Sequence, residues 1–426
     1  MKAYRGHLFH ALSDEKSEYF EDGLLLVRPT GRVEAVGPAE SLLSQLPSGN
    51  PVEHFPDCLI LPGFIDVHTH YSQVDVIASP ARDTLQWLER HTFPAEAKFS
   101  SVEHSREVAS FFLRELLKNG TTSALAFATV HPNSVDAFFE EAERRGLRAA
   151  TGKVMMDRNA PSGLCDDVAT SVTDTRALIQ KWQGKGRLQY AITPRFAPTS
   201  TEAQLRGAAQ VLQENPGVLL QTHLAETADE MAWVKQLFPK AKSYLGVYDQ
   251  YGLTGPRSIF AHSIHLQKEE LELLAERGSS VAFCPSSNLF LGSGLFPYEM
   301  ARAAGIKLGL ATDIGGGTSF SMWRTMALAH DVLQLRGQNL TAAQAIAMAT
   351  LGGANALGWG KYVGNFTPGN EADFVVWDPH AQPLLSRRWK VAKSWEERLF
   401  ACIVLADDRN CKAVYILGNR MNDGTK

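Results

Sequence analysis

Cysteine is scarce in this 426-residue chain, and what there is shows no pairing pattern. The five thiols, Cys58, Cys165, Cys284, Cys402 and Cys411, are odd in number, scattered and without a C-x-x-C. That excludes a disulfide framework and predicts reduced thiols in a cytoplasmic setting. Long apolar runs are lacking too; none reaches the roughly 20 residues of a membrane span, so no membrane is expected as a partner. Met1 to His10 carries no charged-then-apolar leader pattern, and neither end carries a lipidation signal. An excess of one charge is also missing. The 42 basic and 46 acidic residues give a net charge of -4, which offers no electrostatic case for nucleic acid. Repeats and low-complexity tracts are absent. Gly315-Gly316-Gly317 is not a phosphate loop, because no Lys-Ser/Thr follows; it reads as a tight turn beside Asp313.

What is present is a globular composition, 44% hydrophobic and 21% charged, long enough to bury a core without covalent staples. Residues 1–60 read as short strands, with 23–27 and 32–36 flanking a turn at Pro29-Thr30-Gly31 and a helix over 38–46. From residue 60 buried strand and amphipathic helix alternate. Strands are expected over 60–67, 122–127, 148–155, 188–193, 218–222, 258–261, 279–283 and 306–311. Helices are expected over 102–118, 134–145, 171–183, 201–214, 227–238, 267–277 and 297–304. The strands are apolar on both faces, as parallel strands are, and their number is that of a (β/α)8, or TIM, barrel. Tyr71 to Phe99 interrupts the alternation as an excursion that covers something. An Ala-rich helix over 341–357 starts at Thr341, a fitting N-cap. A strand over 374–377, a helix near 394–404 and a strand near 413–418 follow. The expected organisation is α/β: a barrel over 61–363, and a small β-sandwich domain built from both termini, 1–60 and 364–426.

In such a barrel the active site lies at the C-terminal ends of the strands. The polar residues there are His68 and His70 on strand one, His223 on strand five, His262 on strand six and Asp313 on strand eight. On a strand the side-chain period is two, so His68 and His70 point the same way. Singly, each would read as an interior histidine or a capping aspartate. In order and all at strand ends, they read as a metal site. Two histidines from strand one, one from strand five and the carboxylate make a three-nitrogen, one-oxygen set that suits Zn2+, or Fe2+ with open positions. Glu226 follows His223 by three residues. It fits a first-turn glutamate complementing a helix dipole and equally a general acid/base beside an activated water. Lys153, near the end of strand three, leaves room for a dinuclear site bridged by a carboxylated lysine. Cys284, ending strand seven, reads as a small buried hydrophobe.

Pro62-Gly63-Phe64-Ile65-Asp66-Val67-His68-Thr69-His70 resembles the strand-one motif of the amidohydrolase superfamily. Tyr71-Ser72-Gln73, Trp87-Leu88 with Thr92-Phe93-Pro94, Thr193-Pro194-Arg195-Phe196-Ala197-Pro198-Thr199, Thr222-His223-Leu224-Ala225-Glu226, Cys284-Pro285-Ser286-Ser287-Asn288-Leu289-Phe290-Leu291-Gly292-Ser293-Gly294 and Thr312-Asp313-Ile314-Gly315-Gly316-Gly317 are similar to its guanine-deaminating branch. The resemblance spans nearly the whole chain. It implies hydrolytic deamination of guanine to xanthine and ammonia. It implies one zinc per chain on His68, His70, His223 and Asp313, and a homodimer. His262 would sit beside the carbon under attack, and Glu226 would move protons. Gln73, Arg195, Phe196 and His223 would contact the purine. Arg195 offers a planar donor fork for a ring carbonyl, and Gln73 can donate and accept. Tyr71, Trp87, Phe93 and Phe196 are available to wall the ring. The chain departs from the pattern at Ser72, where proline is usual, and at Leu224-Ala225, where a small polar residue usually precedes the glutamate. The H-x-E and P-C-x-x-C signature of the other zinc nucleobase deaminases is absent. The rival readings are a dinuclear cyclic-amide hydrolase using Lys153, a non-catalytic barrel, and a relative acting on 8-oxoguanine, another aminopurine or a triazine.

Overall fold

The computed structural model of the chain describes residues 1–421. Eight strands form the expected barrel in chain order. They are Phe64–His70, Thr121–Phe127, Arg148–Gly152, Leu188–Pro194, Leu219–Leu224, Ser258–His262, Ser280–Phe283 and Lys307–Leu310. Strands four to eight pair in parallel, each with the next. The eighth returns to the first through two backbone bonds. Asp313 N–H donates to the His68 carbonyl at 3.0 Å, and His70 N–H donates to that of Ile314 at 2.9 Å. This closure ties the two elements that carry the strand-one histidines and the aspartate. The third strand breaks at Lys153 and resumes as Val154–Met155, paired with Thr193 and Pro194.

The helices lie close to their expected spans, Val102–Lys118 and Pro132–Arg145 among them. Thr341 caps the helix Ala342–Ala347 in a reciprocal arrangement with Gln344. That helix does not run regularly to 357: a wider π turn occupies Met348–Gly352 before Gly353–Ala356. Tyr71 to Phe99 forms short helical turns rather than one element.

The strand expected over 60–67 is two strands. Glu53–Pro62 belongs to a second sheet and Phe64–His70 to the barrel. Gly63 is the joint. Its N–H bonds the Asp373 carbonyl, and the next, from Phe64, bonds that of Gly120. A Cβ at position 63 would lie 2.0 Å from Thr122 Oγ1, so only glycine fits so close an approach.

The second sheet has seven strands in the order Asn419–Arg420, Cys411–Ile416, Phe374–Trp377, Glu53–Pro62, Lys2–Ala11, Ser17–Val27 and Val33–Pro38. The terminal segments therefore pair, as expected. Phe374 stacks on Tyr415 at 4.3 Å, and Tyr4 meets both rings edge-on. By compactness the chain forms two units: Met1–Asp66 with Arg114–Ser123 and Phe320–Lys426, and Val67–Leu113 with Ala124–Ser319. The first holds two helices not expected from the sequence, Met322–Leu335 and Pro383–Val391. Among the described residues no helix is long and apolar enough to cross a membrane.

Candidate active site

Every strand-end residue singled out above lies in the second unit, Val67–Leu113 with Ala124–Ser319. His68 Nε2 and His70 Nε2 are 3.3 Å apart, and His70 Nε2 and His223 Nε2 3.2 Å. Asp313 Oδ1 lies 3.2 Å from His68 Nε2 and 3.3 Å from His70 Nε2. Ligands about 2.0–2.1 Å from a tetrahedral ion lie about 3.3–3.4 Å from one another. The contacts His68–His70, His70–His223, His68–Asp313 and His70–Asp313 therefore have the spacing of neighbouring ligands on one small divalent cation. His223 Nδ1 meets the Arg195 carbonyl at 2.7 Å; a carbonyl only accepts, so the proton is on Nδ1 and the Nε2 lone pair faces the other donors. The Phe127 ring underlies His68, His70 and His223 at 4.6–5.2 Å.

Charge agrees with geometry. Burial holds the His68, His70 and His223 imidazoles below their ordinary value, His70 at about 3. Burial alone would raise Asp313, but the imidazoles around it hold it well below the usual carboxylate range. Three neutral nitrogens and one carboxylate are the donor set of a divalent transition metal. The backbone pays attention to this corner: Ala225, His262, Ser263 and Asp313 all take φ between 50° and 66°. Non-glycine residues in that region are strained by about 1–3 kcal/mol each and gather at functional sites.

His262 stands beside this set, its Nε2 3.8 Å from Glu226 Oε2 and 3.8 Å from Asp313 Oδ2. Its Nδ1 meets Asn288 Oδ1 at 2.9 Å. Burial would lower the imidazole, but the Glu226 and Asp313 carboxylates outweigh it and raise it well above its usual value. Glu226 is pinned through one oxygen. Oε1 accepts from Thr84 Oγ1 at 3.1 Å and Ser293 Oγ at 2.9 Å, which leaves Oε2 toward His262. Neither hydroxyl was singled out from the sequence. Cys284 is buried and its thiol donates to the Ala282 carbonyl at 3.4 Å. Burial pushes that thiol up to about 11, so it is protonated at neutral pH. Lys153, the residue a second metal would need, is buried and ion-paired with Asp166.

A cavity opens over these groups, lined by Gln73, Trp87, Arg195, Phe196, Glu226 and Asp313 among others. The Tyr71–Phe99 excursion covers it, through Thr84, Leu85, Trp87 and Leu88. Of the four aromatics considered, Trp87 and Phe196 line the cavity. Tyr71 does not; it is wholly buried, bonded to the Ser134 carbonyl and packed on Phe99, Phe112 and Phe138. Phe93 packs in a small core with Phe127 and Met156 and lies under the Arg195 guanidinium at 5.5 Å. Gln73 and Arg195 share a partner that sequence reasoning missed. Glu96, fully buried, accepts from Gln73 Nε2 at 3.0 Å and from Arg195 Nη1 at 2.7 Å.

A barrel closed on itself, with a three-histidine, one-aspartate centre at its strand ends, matches what comparison finds. The chain belongs to the amidohydrolase family, which residues 59–421 match. Within it, the chain is similar to the guanine deaminase of Escherichia coli K12, 48% identical over 400 residues that cover 94% of this chain and 91% of that protein. The solved structure of E. coli guanine deaminase matches with a TM-score of 0.96 and 46% identity, covering 99% of each chain. The guanine deaminase of C. acetobutylicum, solved with guanine bound in the active site, matches with a TM-score of 0.91 and 32% identity, again covering 99% of each.

Proposed function

We propose that this chain hydrolyses guanine to xanthine and ammonia at one zinc ion per chain, held by His68, His70, His223 and Asp313. The observation that carries the reading is the run of contacts at 3.2–3.3 Å that links His223 to His70, and His70 and His68 to each other and to Asp313, beneath a cavity that presents Glu226, Gln73 and Arg195. Similarity to guanine deaminases over nearly the full chain supports the substrate. Fe2+ suits the same donors and is the alternative metal. A zinc ion there supplies a water acidified from a pKa of 15.7 to about 7.

The chain's own groups do the rest. Asp313, kept anionic by its imidazoles, accepts the proton released by the attacking water. Glu226 takes one proton from the water as it is acidified and passes it to a ring nitrogen, which takes up the charge that attack places on the ring; it then carries the second, relayed from Asp313, to the departing amine. Its fixed Oε1 keeps Oε2 in one place for both transfers. His262 sits between Glu226 and Asp313, where it donates a hydrogen bond beside the carbon under attack. Arg195 binds a ring carbonyl, Gln73 a neighbouring ring position, and Phe196 closes one wall. The pairing of Lys153 with Asp166 favours one metal over two. We further propose a cytoplasmic setting, consistent with five free cysteines, and, from the family resemblance alone, a homodimer.

The test is direct. Metal-loaded protein incubated with guanine should yield xanthine and ammonia in equal amounts, with one zinc per chain. Fully loaded protein that leaves guanine unchanged would sink the reading, and two metals per chain would favour the dinuclear rival.

A further inference from the structure

Glu96 does not line the cavity, yet both of its oxygens hold groups that do. It sits on Phe93–Ala97, inside the excursion, 23 residues beyond Gln73 and 99 before Arg195. Glu96, Gln73 and Arg195 are each at most 2% exposed. A carboxylate accepts hydrogen bonds and cannot donate them. The Gln73 atom that meets Glu96 must therefore be its NH2, and this decides which way round the amide lies. The Gln73 carbonyl oxygen is left for the cavity, as an acceptor. Arg195 can only donate, and the bond from Nη1 to Glu96, with the Phe93 ring beneath it, fixes the plane in which its remaining N–H groups lie.

We propose that Glu96 is a positioning residue that sets the polarity of the substrate-reading edge: an acceptor from Gln73 beside donors from Arg195. That edge complements a ring N–H next to a ring carbonyl, as at N1 and C6 of guanine. It opposes the reversed edge of 2,6-diaminopurine, where N1 accepts and the 6-amino group donates. The assignment rests on the guanine reading above and deepens it. A buried site that must leave polar groups unpaired with the wrong ligand discriminates strongly. A carboxylate present only to neutralise Arg195 would support folding and leave this selectivity alone.

The experiment compares metal-loaded wild-type protein with Glu96→Gln and Glu96→Asp, on guanine and on 2,6-diaminopurine. Wild-type turnover of guanine tests the underlying reading by itself. In Glu96→Gln the new amide can face Gln73 with either its oxygen or its NH2, so Gln73 is free to turn over. Zinc content should hold, KM for guanine should rise about ten- to a hundred-fold with a smaller change in kcat, and the preference for guanine should fall at least about tenfold. Glu96→Asp keeps the charge but reaches less far, and should lie between the two in both KM and preference. If Glu96→Gln does not fold, Glu96→Asp decides by the same ratio. A guanine preference equal to wild type, in whichever variants fold, overturns the proposal.

Discussion

Replacing Glu226 by glutamine changes one atom and leaves the pocket's shape. Glu226 is 6% exposed, and its Oε1 accepts from Thr84 and Ser293 hydroxyls at 3.1 and 2.9 Å. A glutamine carbonyl can keep both bonds, so its NH2 takes the place of Oε2, 3.8 Å from His262 Nε2. The side chain stays where it was and loses its capacity to take up and release a proton. One positioned proton transfer contributes about 10²- to 10⁴-fold. Here the same oxygen serves ring protonation and amine departure, so kcat should fall by about 10⁴ or more, near 5 kcal/mol of barrier. Glu226 is not one of the four close donors, so zinc content should stay at the wild-type level. Xanthine formation and ammonia release measure the first quantity, elemental analysis the second. A Glu226→Gln protein that keeps its zinc and turns over guanine within tenfold of wild type would refute the proton-carrying role.

Three further outcomes are expected. His68→Ala should remove a nitrogen that meets both His70 and Asp313; zinc should be lost on dialysis and activity with it, and retained stoichiometric zinc would contradict the ligand assignment. Gly317→Ala would place a Cβ 1.7 Å from the Thr312 carbonyl oxygen, forcing the turn that holds Asp313 to shift. Zinc affinity, read by competition with a chelator, should drop about 10- to 100-fold, as for other supports of metal ligands; an unchanged affinity would show that the turn does not hold the ligand. Burial, then the neighbouring Glu226 carboxylate, raises Glu230 to about 7 from 4.5. The folded protein thus keeps a proton that the unfolded chain releases. Its contribution is whole below pH 4.5 and fades as pH climbs through 7, by about 3 kcal/mol. Glu230→Gln lacks that loss, so its Tm relative to wild type should rise between pH 4.5 and 7.5; a constant difference would refute the shift.

The metal corner was legible because its residues sit where strands end, and an apolar run that stops in an imidazole or carboxylate is visible without coordinates. Glu226 was legible through its distance from His223. Glu96 was not. Nothing in Phe93-Pro94-Ala95-Glu96 marks the glutamate as buried, and its partners are brought to it only by folding. Thr84 and Ser293 are the same case, ordinary hydroxyls made specific by what they touch. In the fold, the stretch 60–67 reads as one strand because composition does not change where it passes from one sheet to the other; the break depends on how near Thr122 comes to Gly63. Glu53–Pro62 was obscured further by Pro56 and by Asp57, whose φ is 55°. The helix Met322–Leu335 had a readable pattern, Ser321 as cap and Met322, Trp323, Met326, Ala329 and Leu333 buried at helical spacing.

The strand order of the second sheet also sets a timetable. Lys2–Ala11, Ser17–Val27, Val33–Pro38 and Glu53–Pro62 leave the ribosome before the other strands of this sheet, and Glu53–Pro62 then presents one side with no partner. Phe374–Trp377, which covers that side, emerges about 310 residues later, roughly 15–60 s at ordinary synthesis rates. For that interval a row of backbone donors and acceptors beside Leu59, Ile60 and Leu61 is open to any other strand. Nascent chains of this protein are therefore open to mispairing at Glu53–Pro62 until Phe374–Trp377 is made. A charge introduced at an inward position there would slow aggregation during synthesis at the expense of the finished sheet.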